Sequence, residues 1–378
     1  MRASGAKTSV KFAQEVVWKH KFDTTHPLGN VYGLNIRSCS LGGTKNQFQS
    51  ETINDKRTVV GLGEGNKAVE GDIVTDFLPE GQEVLFHHLL GKNGDGDISR
   101  TTGVDHTDSS DTANYEPALG DESSKKILTL KGRADTLEGL CIQKEFTSLG
   151  QRFVYRGCRV NSMTLNIIQE GFHDITWNFI GTGEEVNTSD EFAGKTASYS
   201  FKDGYTGYQA KVYIKRPARI AQDGTTQIAA DEHWELLGNI TNGNITITNN
   251  VETDGYVIGS DERASAEYGT RQCTGSWTMF FEDVDLYRIY QKGLECSLMF
   301  VFENPNEEKI RFTFPSVKLG GDSPTIDSPS GINLNLTFQA KYFDDDTSDD
   351  QDGTDVIVEF VNTTETALEG QPTEVAGS

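Results

Sequence analysis

The sequence is poor in the residues that brace a fold or carry out chemistry. Five cysteines (Cys39, Cys141, Cys158, Cys273, Cys296) are scattered through 378 residues. An odd number with no C-x-x-C pair excludes a disulfide framework and a zinc site. No apolar run approaches the roughly twenty residues that cross a bilayer, so no membrane insertion by this chain is expected. No leader with an apolar core and cleavage site is present, and synthesis in the cytoplasm is expected. Cations are scarce, with 34 Lys and Arg against 57 Asp and Glu for a net charge of −23. That deficit excludes a phosphate-gripping nucleic-acid reader, whose binding depends on Lys and Arg releasing counterions.

Catalytic patterns are equally missing. There is no G-x-S-x-G, no H-E-x-x-H and no Cys/His pair in a catalytic context. Gly61-Leu-Gly63-Glu-Gly65 lacks the following helix that would cradle a phosphate, and a turn is the expected reading. Asn93, Asp95 and Asp97 imitate the start of a calcium loop. Ile98 then stands where the glycine turn belongs, and Val104 where the bidentate glutamate belongs. His87-His88 cannot share one metal, because neighbours on a helix point about 100° apart. His88 is expected at the core edge and His87 in solvent. No cofactor, metal or catalytic residue is nominated.

What the chain does have is glycine, 39 against 9 prolines, and short segments alternating apolar with polar residues. This pattern indicates an all-β protein with many turns and short flanking helices. Leu34/Ile36, Met163/Leu165/Ile167, Ile175/Trp177/Phe179 and Leu334/Leu336/Phe338 are each expected to bury one face. Their neighbours Asn35, Thr164, Asn166, Thr176, Asn178, Asn333, Asn335 and Thr337 form a polar, cation-poor opposite face. Pro79 opens a helix bearing Val84, Leu85, His88 and Leu89. A second, 283–293, carries Leu286, Ile289 and Tyr290, and Trp277 lies on the strand before it.

The same plan occurs twice, strands then helix then strands, over 33–183 and again over 239–343. Residues 1–30 are read as an N-terminal arm containing a short strand at Glu15-Val-Val-Trp18. The first unit is 31–195, with further strands at 55–60 and 71–77 and an acidic loop or loose hairpin inserted at 92–126. Residues 196–238 are read as a bridge in which 197–201 and 210–215 pair as a hairpin. The second unit is 239–343, followed by an acidic tail, 344–378. Within that tail Val356–Val361 is a strand candidate able to dock on a neighbour. Such duplication points to pseudo-symmetric assembly.

The segment 146–167, FTSLGQRFVYRGCRVNSMTLNI, followed by a glycine turn and Trp177-Asn-Phe179-Ile-Gly181, resembles the tail tube proteins of long-tailed bacteriophages. The resemblance continues through Thr246-Ile-Thr-Asn-Asn250, Ile258-Gly-Ser260, Cys273-Thr-Gly-Ser-Trp-Thr278, Phe281–Tyr287 and Phe314–Leu319. It implies two β-sheets packed across each other per unit, with a helix at the flank. It also implies sheets joined edge to edge in a ring into a large β-barrel, with rings stacked into a hollow tube through which DNA passes unbound. Single tube domains of this family form six-membered rings, so a chain carrying two would close a ring of three. The implied partners are further copies of the chain and the tail tip, tape measure and terminator proteins, all in the virion tail. The competing expectation is a carbohydrate- or receptor-binding β-sandwich of the adhesin kind, and an enzyme ranks third.

Overall fold

The computed structural model describes residues 5–52, 55, 58–91, 100–110, 115–133, 137–220, 225–282, 284–324, 331–343 and 353–362. The calcium-like residues Asn93, Asp95, Asp97 and Ile98, the first residue of the second expected helix (Asp283) and most of the acidic tail lie outside them.

The described chain is predominantly strand. Its first part runs β1 Thr8–Gln14, β2 Tyr32–Leu34, β3 Ile36–Cys39, β4 Gly42–Gln49, β5 Leu62–Asp76, α1 Glu83–Leu90, β6 Thr101–Thr102, β7 Lys126–Lys131, β8 Leu140–Phe146, β9 Gln151–Ile167, β10 Asp174–Gly181 and β11 Gly183–Asn187. It continues with β12 Ser198–Tyr199, β13 Ala210–Lys215, β14 Arg219–Ile220, β15 Gln227–Ile228, β16 Glu235–Leu237, β17 Ile240–Thr248 and β18 Gln272–Phe280. Then follow α2 Asp285–Gln291, β19 Glu295–Glu303, β20 Lys309–Gly321, β21 Asn333–Ala340 and β22 Ile357–Asn362.

Two long strands organise the molecule. β9 pairs along its first half with β8 and β11 and along its second half with β10 and β17. Gly157, at φ 57°, sits where the strand passes from one set of partners to the other; only glycine adopts that backbone freely. β20 divides its partners similarly, with β22 along 309–313, β21 along 317–321 and β19 along 309–318. The second halves share one antiparallel sheet, in the order β3/β4, β5, β10, β9, β17, β18, β21, β20.

The pairing repeats residue by residue. Ile36 faces Thr75, Ser38 faces Val74 and Cys39 faces Ile73, with a bulge after Ile36. Ile240 faces Met279, Asn242 faces Thr278 and Gly243 faces Trp277, each 204 positions on and with the same bulge. The bulge between Leu140 and Ile142 on β8 recurs between Cys296 and Leu298 on β19. Val10 opposite Leu34 has its counterpart in Val212 opposite Leu237, and Glu185 opposite Val154 in Ile357 opposite Thr313. Volume is conserved where identity is not. Trp177 opposite Ile73 corresponds to Trp277 opposite Leu336, so one tryptophan and one aliphatic fill each site with the strands exchanged. Compensated swaps of this kind keep a close-packed core filled.

Several expectations are corrected. Residues 8–14, assigned to an arm, form β1 between β2 and β8, because Val10 and Phe12 point into the core; Glu15 already lies beyond that strand. The hairpin expected at 197–215 does not form: β12 runs parallel to β2, and β13 pairs with β19. In the tail, β22 lies between β20 and β7 of its own chain, where Val358 and Phe360 are buried. The glycine cluster 61–65 leads into β5 instead of a turn, since a Cβ at Gly65 would strike the Phe48 ring of β4. No strand forms at Asp55 or 58–60, the described part of that candidate. His87 is buried, not exposed, because α1 packs against β9 on one side and β7 on the other and hides every residue.

Candidate functional site

The nominated residues meet in one interior. Leu34, Leu85, Leu89, Met163, Leu165, Ile167, Trp177, Phe179, Trp277, Leu286, Ile289, Leu334, Leu336 and Phe338 are buried in the main core cluster. Ile36 and Tyr290 are half-buried against it. Phe86 of α1, which the sequence reading passed over, stands edge-on to Trp177 with ring centroids 4.9 Å apart. Trp277 packs on Phe338 at 5.9 Å.

The opposite face of the eight-strand sheet is polar. The Thr164 and Thr246 hydroxyls lie 3.3 Å apart across the β9–β17 junction. Asn166 donates to Asp174 (2.8 Å), Asn178 to Asp72 (2.6 Å), and the Thr278 hydroxyl to Asn335 (2.9 Å). The backbone N–H of Ser276 donates to Asn244 Oδ1 at 2.9 Å. Basic residues on these strands are tied to acids: Arg37 to Asp76, Lys45 to Glu64, Lys67 to Asp261 and Lys318 to Glu295. The face therefore offers neutral amides and hydroxyls, carboxylates, and cations that stand beside carboxylates. Short cross-strand partners of this kind pair with each other across the sheet.

The sheet does not close on itself. Among the described residues, neither the outer edge of β3 and β4 nor residues 319–321 on the side away from β21 has a strand partner. The β4–β5 hairpin stays paired out to Gln49 opposite Leu62, beyond the part of β5 that pairs with β10, and exposes Phe48 and Leu62 there.

Buried charges lie elsewhere, and no local sequence pattern marks them. Glu122, in the 92–126 insertion, is fully buried and accepts from Arg311 Nη1 at 2.7 and 2.8 Å and from Lys309 Nζ at 3.4 Å. Arg311 also donates from Nε to Glu359 at 3.0 Å. In the described part of the insertion, Thr101 and Thr102 pair with Ile127 and Lys126 of β7, which in turn pairs with β22. Arg263, in the β17–β18 connection, is buried and donates to the carbonyls of Thr253, Val69 and Gly181. This stitches that connection to β5 and β10.

Another set of buried groups is shifted by desolvation toward the uncharged form. Burial pushes Glu15 up to about 7, against the Gly157 and Lys19 backbone N–H groups that donate to it. Burial pushes His173 down to about 4, and Ile168 N–H donates to its Nδ1. His88 is driven well below its ordinary value, and Cys141, Cys158 and Cys273 well above theirs, by the same desolvation. These groups lie in packed interiors, away from the polar face.

The described chain is thus a predominantly β-protein with a polar sheet face and unpaired sheet edges. Residues 5–340 match the family model described as phage tail tube protein, and the chain belongs to the phage tail tube protein family. It is accordingly a structural component of a phage tail, in a family that builds the tail tube by self-assembly. No curated protein matches the chain.

Proposed function

We propose that three chains close into a ring of pseudo-sixfold symmetry and that rings stack into a hollow tube conducting DNA into the host cell. The observation that carries this reading is the duplicated strand register. One chain already joins two matched half-sheets edge to edge at β9 and β17, and it leaves one outer edge of each kind. Repeating that junction between chains removes the open edges that would otherwise invite indiscriminate pairing. A heterologous contact that closes by rotation makes a ring. The two tube-building units then reach beyond 31–195 and 239–343, since β1, β13, β16 and β22 have matching places in the two registers.

In this arrangement the polar face lines the channel. Asp72 and Asp174 repel phosphate there, and paired cations leave little for counterion release, so DNA slides instead of sticking. The projecting β4–β5 hairpin meets the next ring. The tail tip, tape measure and terminator proteins engage the ends and interior of the finished tube in the virion tail. Negative-stain imaging and native mass measurement of the purified protein test the proposal. Rings of three times the 41.6 kDa chain mass are expected. Six chains per ring would overturn the pseudo-sixfold arrangement, and compact monomers at every concentration would overturn the tube.

A further inference from the structure

The internal repeat fixes the register of a contact between chains. On the β17 side, residues 246, 247 and 248 pair with β18 as 42, 43 and 44 pair with β5. On the β9 side, Met163 faces Trp177 and Ser162 faces Asn178, as Gly321 faces Leu336 and Gly320 faces Thr337. β9 carries one additional residue, Asn161, at its bulge, which β20 lacks. Within the chain, β9 and β17 join with Thr248 opposite Ser162, Ile247 opposite Met163, Thr246 opposite Thr164 and Ile245 opposite Leu165.

Carrying both correspondences across, we infer that the outer edge of β4 pairs with residues 320–323 of a second copy of this chain. Thr44 then lies opposite Gly320, Gly43 opposite Gly321, Gly42 opposite Asp322 and Leu41 opposite Ser323. This register rests on the ring proposed above, and it specifies what that ring leaves open. The contact is heterologous, since one chain offers β4 and its neighbour offers the end of β20. A one-residue slip would turn every side chain of one strand to the other face, so the register is sharply testable. Gly42 and Asp322 occupy the places of Thr246 and Thr164, whose hydroxyls are 3.3 Å apart on the polar face. Asp322 is exposed in the single chain, and a Cβ at Gly42 meets nothing closer than the Ser40 carbonyl at 3.6 Å. Directly opposed positions in an antiparallel pair bring Cβ atoms to about 4.5–5.5 Å, close enough for a disulfide with slight adjustment.

The test is oxidation of assembled Gly42→Cys/Asp322→Cys protein, followed by non-reducing electrophoresis. The expected result is a covalent ladder ending in a closed three-chain species, with each single variant and the native cysteines giving none. Mixing the two single variants should give covalent dimers and nothing larger, because each chain then carries half of the link. Gly42→Cys/Ser323→Cys, shifted by one residue, should stay unlinked. Tubes that form normally while only the shifted pair links, or neither pair links, would overturn the register and leave the tube reading standing. Wild-type protein that forms no rings would overturn both. Should the double variant assemble poorly, proximity cross-linking with mass spectrometry on wild-type tubes reads the same contact. Lys45 and Lys318 found in one inter-chain cross-link support it, and links placing β4 against any other strand refute it.

Discussion

The buried pair Glu122–Arg311 tests whether the 92–126 insertion is a structural clamp. Glu122 is fully buried and meets Arg311 at 2.7 and 2.8 Å and Lys309 at 3.4 Å. Replacing it with leucine leaves Arg311 buried with one carboxylate, Glu359 at 3.0 Å. Lys309 keeps the Leu119 carbonyl at 3.0 Å and Glu303 at 3.4 Å. Removing one partner of a buried ion pair costs about 3–5 kcal/mol. Because Glu359 remains, the lower end applies, about 3 kcal/mol for Glu122→Leu. Arg311→Leu strands Glu122 with Lys309 and His106, the latter at 3.9 Å, and should cost a similar amount. An apolar pair of similar volume satisfies itself, so the double variant should lose far less than the two singles combined, with a coupling of about 2 kcal/mol or more. Urea unfolding followed by tryptophan fluorescence, below the assembly concentration, gives all three values. Hydrogen exchange should also speed up in β7 and β22, which the insertion ties together, before it does in β9 and β10. Additive losses, or a Glu122→Leu cost below about 1 kcal/mol, would refute the clamp.

Three further outcomes follow from the same structure. Trp177→Ala removes a fully buried ring packed on Phe86 and should cost about 3–5 kcal/mol in urea unfolding. Trp177→Phe should cost much less, because the indole N–H finds no acceptor among the described residues. Glu15 should make stability fall as pH rises. Its carboxyl is protonated in both states below 4.5 and stays protonated in the fold up to about 7, so across that window the unfolded chain releases the proton first. The loss is about 3 kcal/mol, complete above the folded value. Glu15→Gln should cancel it, seen as a wild-type-minus-variant difference in unfolding free energy that narrows by that amount between pH 4.5 and 7.5. Lysine at Thr164, Thr246 and Asn335 should slow DNA ejection from reconstituted phage by several-fold at low salt without preventing tube assembly. Unchanged ejection kinetics in all three would refute the channel-lining face.

The alternation of Met163, Leu165 and Ile167 against Thr164 and Asn166 was legible because a half-buried strand writes its geometry with period two. The ends of each repeat were not. Lys11 between Val10 and Phe12 hid β1 as an ordinary polar arm, and the acidic run before Val356 separated β22 from the sheet it completes. The repeat itself was blurred by spacing. Counterparts lie 204 positions apart in β5 and β18 but 156 apart in β8 and β19, because the insertion lengthens the first copy alone. Glu122 looked like any other acid in a solvated loop. Its burial depends on Arg311, nearly two hundred residues away, and no local pattern encodes that. His87 was misplaced because a helix read in isolation has a wet face, whereas every residue of α1 is buried as it packs against β9 and β7.

The two copies differ at the edges that the proposed ring would join. At the permanent junction inside the chain, Ile247 meets Met163, and both are buried. The corresponding residues on the outer edges are Gly43 and Gly321. Leu41, the counterpart of Ile245, stays apolar because it is buried in the single chain as well. A newly made chain with apolar residues along both outer edges would pair with any strand it met, and flat unpaired edges are the sites at which β-proteins aggregate. Glycine and aspartate there lower the strength of each edge contact. Meanwhile Glu184 accepts the Gly43 N–H at 3.0 Å, occupying a donor near the edge until a neighbour arrives. In the proposed ring, closure would restore what each contact gives up, since every chain would be held by two junctions at once and dissociation would have to break both. Weak edges on the single chain and a strong ring would therefore be compatible under the proposed arrangement, because the duplication places one junction, β9 with β17, within the chain.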